Sequence, residues 1–521
     1  MSLTGDHVAR VRAAELVGAL SLATDLGTGQ PLEHALRTAV LAVRLAELAG
    51  GSPEELRDTY YVALLHASGC TSNGHEATQF FGEDIEHRAA FFLIDPTDVN
   101  QVVAFYRAHV APGRAPDVRE QMVEAALANP ERSADSFAAM CEVAQRFAGW
   151  LDLGAGIEAS LEFVFARWDG RGWPRDVGGD DLPFPARVLH VARDYSLFLS
   201  AGGREDARTV LEQRSGEAYD PSLVVLALKG FDDTLSDLDE LRMWDHALES
   251  EPFPQIYLSD TGIEAGFGAV AALTNLKSPW LREHSTNVAD LAEAAAWRMQ
   301  LSPDAVAFLR RAALAHDLGR VGVSNAIWEK PGALGFGEWE RVRLHPHFTE
   351  RALAQSPTLA PIGLLAGSHH ERLDGSGYHR GVRAPALDAA ARILAAADCY
   401  SAMSEDRPHR PALEPDEAAA LLILEATERR LDRDAVDAVL AAAGHHLAKR
   451  PRELPAGLTR RELEVLLALV VGRSNQAIAD SLGISAKTVG HHVQHVYQKA
   501  GVRSRAAATV WAFENELVHR Q

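Results

Sequence analysis

Much of what stabilises secreted and membrane proteins is scarce in this chain. Its 521 residues include three cysteines, Cys70, Cys141 and Cys399, too few and too irregularly spaced for a disulfide framework or a cysteine-rich zinc site. They are expected to be buried small hydrophobes. No apolar run approaches the roughly 18 residues that cross a bilayer, and the first residues, MSLTGDHVARVRAAEL, lack the charged-then-apolar pattern of a cleaved leader. A cytoplasmic protein without membrane contact is expected. β-Branched runs are few, while Ala, Leu, Glu and Arg dominate long stretches, which predicts a mostly all-α fold. Positive charge is also short: the formal net charge is −21, which argues against phosphate neutralisation by the chain as a whole. The deficit is uneven, because from Gly457 onward eight Lys and Arg residues face five Asp and Glu.

What is present is a repeat. The segment from Glu33-His34 to Gly69 matches Glu283-His284 to Gly319 without a gap, with Ser52-Pro53 on Ser302-Pro303 and His66 on His316. A second block pairs Asp169-Gly-Arg-Gly-Trp with Asp374-Gly-Ser-Gly-Tyr and continues into Ala186-Arg187 and Ala391-Arg392. Two matching blocks in the same order imply a duplicated domain, over residues 10–228 and 262–448. An acidic linker, 229–261, is expected between them as a helix and a proline-marked loop. Prolines at 451 and 455 then separate a tail, 455–521. Apolar residues at helical spacing make both copies tandem helical bundles, with a small helix-turn-helix tail behind them.

The second copy gathers His284, His316, Asp317, His345, His369, His370 and Asp398. Nitrogen and oxygen donors on rigid elements, with positions left open for water and substrate, are what metal-assisted phosphoester hydrolysis requires. Adjacent His316 and Asp317 let an imidazole bind one ion while the carboxylate bridges two. The pieces AHDLGRVGV, RLHPHFTERAL, HHERLDGSGYH and ADCYSAMSEDRPHR together resemble the HD-GYP subset of the HD phosphohydrolases, over residues 280–415.

The resemblance implies a helical fold, a site for two or three ions of iron, manganese or a similar metal, and hydrolysis of cyclic dinucleotides. It makes the seven residues above metal ligands, Asp317 and Arg320 catalytic, and Arg320, Asp374, Gly377 and Tyr378 substrate-binding. Three positions depart from it. Arg320 stands where the family has a lysine, and Gly377-Tyr378-His379 where it has Gly-Tyr-Pro. Trp280 stands where three-metal members carry a glutamate, so two divalent ions are expected. His347 and His379 have no ligand counterpart and are expected to be solvated or outlying.

The first copy keeps His34 and His66, but Ala67 replaces Asp317, Val164 and Phe165 replace His369 and His370, and Arg193 aligns with Asp398. Apolar side chains cannot ligate a metal, so this copy should be inert. Its Trp168-Asp-Gly-Arg-Gly-Trp-Pro174 turn is expected to shape a loop beside the lost site, with a regulatory pocket that still binds a ligand, or a pseudo-twofold packing partner for the second copy, as the alternatives.

In the tail, Val465, Leu466, Leu469, Ile478, Leu482, Ile484, Val489 and Val493 fit short packed helices. Thr459 with Glu462 makes a capping box, Gly483 suits the turn, and Ser485 should cap a helix reaching about Ala500. Ser485, Lys487, Thr488, His491, His492 and Lys499 are the candidate DNA contacts on it. The run LTRRELEVL, SNQAIA, ISAKTVGHHV and KAGVRSR resembles the LuxR-type (GerE-type) helix-turn-helix, which implies double-stranded DNA as partner and a homodimer on paired half-sites. The whole chain thus reads as a transcription regulator with a phosphohydrolase copy acting on a nucleotide or other phosphodiester ligand. A metal-bearing sensor without turnover and a hydrolase for another nucleotide are the alternatives left open.

Overall fold

The computed structural model describes residues 11–237, 242–446, 455–515 and 517, with the side chains of 130–133 left aside. Among these residues helices join through turns, and there is no β-strand. The proline-marked boundary at 449–454 lies outside the described residues. Residues up to His445 form one compact unit and the residues from His446 a second.

Corresponding helices of the two copies begin for the same reason. Ser52 accepts a hydrogen bond from Glu55 N, and Ser302 one from Ala305 N, each followed by a proline in the first turn, where no backbone donor is missed. The helices Pro53–Leu65 and Pro303–Ala315 then run to His66 and His316. Each packs against its predecessor, His34–Leu48 or His284–Arg298, through buried Ala, Val and Leu.

The two copies are not separate bodies. Helix Ala13–Thr28 is buried along nearly its whole length and packs on His34–Leu48 and Pro53–Leu65 of the first copy. It also packs on Leu318–Gly322 and His345–Leu353 of the second. Four of its buried side chains are Leu16, Val17, Leu20 and Leu22, each worth roughly 1.5–3 kcal/mol on burial. Its counterpart, Asp260–Leu276, meets it where a Cβ on Gly266 would lie 2.2 Å from Leu16 Cδ2. Leu16 and Gly266 are separated by the same 250 positions as His34 and His284, so equivalent points of the repeat touch, as they do about a twofold axis.

The expected acidic linker belongs to this packing. Helix Pro221–Asp237 runs straight across residue 228, Trp244 is buried in Met243–Glu249, and buried Glu251 accepts hydrogen bonds from Arg12 and Tyr61. Residues 238–241 of the acidic stretch lie outside the described residues. A buried ion pair also joins the copies. Lys277 Nζ stands 2.6 Å from Asp84 Oδ2, whose other oxygen accepts from Asn325 N at 2.7 Å and Ser324 Oγ at 2.8 Å.

In the tail, one core joins Leu458, Leu466, Val496, Ala508 and Ala512, and another joins Val465, Leu469, Ile478, Ala479 and Val489. Leu482, Ile484 and Val493 pack at the edge of the second. Thr459 and Glu462 form the capping box, and Gly483 takes the left-handed backbone (φ 64°) that ends Asn475–Leu482. Ser485 caps Ala486–Ala500 by accepting from Thr488 N.

Candidate metal centre

Helix ends bring the ligand set together. His284 begins one helix, His316 ends the next with Asp317 directly after it, His345 opens His345–Leu353, and Asp398 lies inside Ala389–Met403. His369 and His370 follow the Ala360–Ala366 helix. Donor atoms of His345, His369 and His370 lie within 4.8 Å of one another, as do those of His284, His316 and Asp398, and those of His316, Asp317 and His369.

Asp317 stands between the groups. Its Oδ1 faces His345 Nε2 at 3.3 Å and His369 Nε2 at 3.6 Å, while Oδ2 faces His316 Nε2 at 3.5 Å and His284 Nε2 at 3.7 Å. Asp398 lies 3.4 Å from His284 and 3.6 Å from His370.

The imidazoles are oriented for cations. His316, His345 and His369 each direct Nδ1 to the carbonyl three residues back, at 2.6–2.7 Å. A carbonyl only accepts, so Nδ1 must carry the proton and Nε2 the lone pair. His345 Nε2 and His369 Nε2 then face each other at 3.0 Å, lone pair to lone pair, and His316 Nε2 is buried with no hydrogen-bond partner among the described residues. Such an arrangement needs positive charge between its members. Burial, helped by neighbouring imidazoles, pushes His369 down to about 3 and lowers His370 well below the ordinary histidine value, which favours the neutral, ligating form. Burial would raise Asp317 and Asp398, but the nitrogen groups around them overcome it. Arg320 and His316 act on Asp317, and hydrogen-bonded His284 with His370 on Asp398, and both carboxyls are held well below their usual range. The donor set fits a pair of divalent ions, with Asp317 able to bridge.

Glu405 was not anticipated. Burial pulls His284 down, but hydrogen bonds to Asp398 and Glu405 raise it to about 8, and Glu405 Oε2 lies 2.9 Å from Nδ1. Glu405 is held in turn by Ser401 and Arg407. It stands seven residues after Asp398, in the bend just past the end of Ala389–Met403, and that spacing is the only trace it leaves in the sequence.

The other candidates differ in what they touch. Arg320 Nη1 donates to Asp317 Oδ2 at 3.2 Å, its guanidinium lies 3.7 Å from the centre of the Trp328 ring, and its Nε is buried without a partner among the described residues. Tyr378 packs its ring 4.6 Å from that of His370. Asp374 is exposed and spends its carboxylate on Ser376 in its own turn. Gly377 allows close approach, since a Cβ there would meet His370 O at 2.4 Å. His379 pairs with Glu350 at 3.2 Å, and the ring of His347 lies 5.4 Å from its own. Cys70 and Cys141 are buried, but Cys399 is only partly so, with Arg372 Nη2 donating to its sulfur.

In the first copy, Gly69 and Gly319 reveal the counterpart of His345. A Cβ on Gly319 would lie 2.0 Å from His345 O, and one on Gly69 would lie 1.8 Å from Met140 O. Met140 therefore occupies the histidine's place. His34 and His66 remain, their rings 6.0 Å apart, beside the buried guanidinium of Arg193.

In the tail, Ser485, Lys487, Thr488 and His491 are exposed and His492 is partly so. Lys499 is exposed as well, at the last turn of Ala486–Ala500. Its Nζ lies 2.6 Å from Glu462 Oε2 and 3.0 Å from Gly457 O.

Residues 269–435 match the HD domain family model, and residues 456–512 match that of the bacterial regulatory proteins, luxR family. Among curated proteins, 3'3'-cGAMP-specific phosphodiesterase 3 of Vibrio cholerae serotype O1 is 29% identical over 414 residues, 78% of this chain and 90% of its own length. The cyclic di-GMP phosphodiesterase response regulator RpfG of Xanthomonas campestris pv. campestris is 37% identical over 161 residues, 30% of this chain and 41% of its own. The crystal structure of a cyclic GMP-AMP specific phosphodiesterase of V. cholerae superposes with a TM-score of 0.60 at 26% identity, covering 84% of this chain and 99% of that one.

Proposed function

Because residues 269–435 are an HD domain and residues 456–512 a LuxR-type DNA-binding domain, we propose that the protein is a cytoplasmic transcription regulator whose second copy is a two-metal cyclic dinucleotide phosphodiesterase. The reading rests on one observation: Asp317 turns one oxygen to each of two histidine groups. His284, His316 and Asp398 would hold one ion and His345, His369 and His370 the other, with iron or manganese the best matches for this nitrogen-oxygen set. Two such ions supply Lewis acidity toward phosphate oxygens and a water of lowered pKa.

The chain's own residues supply the rest. Arg320 brings a fixed positive charge beside Asp317, and its unpartnered Nε is a donor for a phosphate oxygen. Tyr378 walls the His370 side, and Gly377 lets that loop lie close over the histidine backbone, whereas Asp374 serves the loop's shape. Trp280 offers no metal donor, in keeping with two ions rather than three. The V. cholerae relative's substrate makes 3'3'-cGAMP the first to test.

Purified full chain loaded with Mn²⁺ or Fe²⁺ is expected to convert 3'3'-cGAMP or cyclic di-GMP to a linear dinucleotide. Metal-loaded protein that cleaves neither of these, nor bis-p-nitrophenyl phosphate, would overturn the enzymatic reading. For the tail, the exposed first turns of Ala486–Ala500 support duplex DNA as partner, and its likeness to the luxR family supports a homodimer on paired half-sites. Lys487→Ala should weaken binding across sequences and reduce the log-log salt slope by about 1.

A further inference from the structure

The first copy has exchanged its metal centre for a cavity of about 410 Å³, within the range of small-molecule sites. Three of its wall residues stand at the positions of metal-centre residues in the second copy: Cys70 for Arg320, Met140 for His345 and Phe165 for His370. Space for it comes from an insertion. Gly69 and Met140 are 71 residues apart, whereas Gly319 and His345 are 26 apart, and the extra chain supplies helices Gly74–Phe81, Glu86–Phe91, Val99–His109 and Pro116–Ala128.

The lining is chiefly aromatic and aliphatic, with Phe91, Phe105, Phe137 and Trp173 among its walls. Val99, 72% exposed, lies on the wall toward solvent. Polar residues interrupt it: Asn73, His87, Arg88 and Ser136 stand in the wall, where Arg88 donates to Asn73 Oδ1 and Asn73 to Ser136 Oγ, and two further features bear on a ligand. Trp173 Nε1 is buried with no hydrogen-bond partner among the described residues, and Arg175, two residues on, is an exposed cation in the same wall. An indole N–H buried without an acceptor is costly unless a ligand accepts from it.

We propose that the first copy is a receptor for a small, largely apolar or aromatic molecule carrying one acidic group, its body among the phenylalanines and its oxygens toward Trp173 and Arg175. Asn73, Arg88 and Ser136 are bonded to one another and Arg88 also to Asp84 O, so the wall leaves few free donors and acceptors for a nucleotide. The proposal does not depend on whether the second copy turns over a substrate, since it concerns a different cavity and is tested by binding alone.

The probes are 8-anilinonaphthalene-1-sulfonate, an aromatic anion, and N-phenyl-1-naphthylamine, its uncharged counterpart, titrated by fluorescence into the folded full chain. Both are expected to saturate at one site per chain. Val103→Trp, which fills the cavity from a partly exposed wall position, should weaken both at least tenfold. Arg175→Glu should weaken the sulfonate at least tenfold and the neutral probe less than twofold. Absence of saturable binding, or unchanged affinities in a Val103→Trp variant with native circular dichroism, would overturn the proposal. Should that variant not fold, Arg175→Glu decides, and equal affinity of the sulfonate for it and the parent overturns the assignment.

Discussion

The two copies share a frame and differ at its centre. In both, a serine caps the helix, a histidine ends it with Nδ1 on the carbonyl three residues back, and a glycine three residues later admits a crossing backbone. The second copy surrounds that frame with carboxylates and imidazoles whose lone pairs converge. The first places there the guanidinium of Arg193, which donates to Asp194 at 2.7 Å and Val164 O at 2.9 Å. Burial, with Arg193 adding to it, holds His66 and His190 down to about 4, so both stay neutral beside a fixed cation. One copy has positive charge built in, and the other is arranged to receive it.

The strongest way to break this comparison is at Asp317. Asp317→Asn removes the carboxylate that faces both histidine groups, and phosphodiester turnover by metal-loaded protein should fall by about a thousandfold or more, roughly 4 kcal/mol of barrier. Metal analysis should show loss of at least one ion per chain. The reverse change, Ala67→Asp, should bind no ion, because Met140, Val164 and Phe165 still offer no donor. Retained turnover in Asp317→Asn would remove the basis for setting the copies apart.

A second test concerns whether the copies can be treated singly at all. Lys277→Ala leaves Asp84 buried without its ammonium partner, and stability to urea should fall by about 3–5 kcal/mol. One cooperative transition for the whole body is expected, since Ala13–Thr28 is buried in both halves. Two separate transitions in the parent protein would show the halves to be independent.

A smaller effect should come from Glu405→Gln. Glu405 reaches the centre only through His284, so metal affinity should drop about 10–100-fold while the remaining ligands hold the ions in place. The first copy has its own brace for the matching histidine, the Ser196 hydroxyl 3.1 Å from His34 Nδ1. That is a neutral partner where the second copy uses a charged one.

These particulars also mark what the sequence made legible. The seven ligands could be read because they fall in short motifs in family order, most of them at or just past a helix end, with Asp398 inside Ala389–Met403. Glu405 could not, since it contacts a histidine 121 residues earlier. Met140 was hidden by the inserted helices, and only the closeness of its carbonyl to Gly69 identifies it. Lys499 looked free because its partner, Glu462, is brought to it by packing between distant helices. The 229–261 stretch looked like a linker because its acidity is local, whereas the burial of Trp244 and Glu251 is set by the first helix of the chain.

The smallest expected effect tests the shared frame itself. Ser52→Ala and Ser302→Ala each remove a side chain that accepts from the third backbone N–H of its helix, which should cost about 1 kcal/mol in either copy. Glu55 still holds Ser52 N at 2.8 Å, whereas Ala305 offers no such support, so Ser302→Ala should be the costlier by a few tenths of a kcal/mol. Urea midpoints check the pair. Similar losses would mean that the helix start was kept for stability in both copies, independently of what its far end holds. A change in metal affinity with Ser302→Ala would instead tie the start of Pro303–Ala315 to the position of His316 at its end.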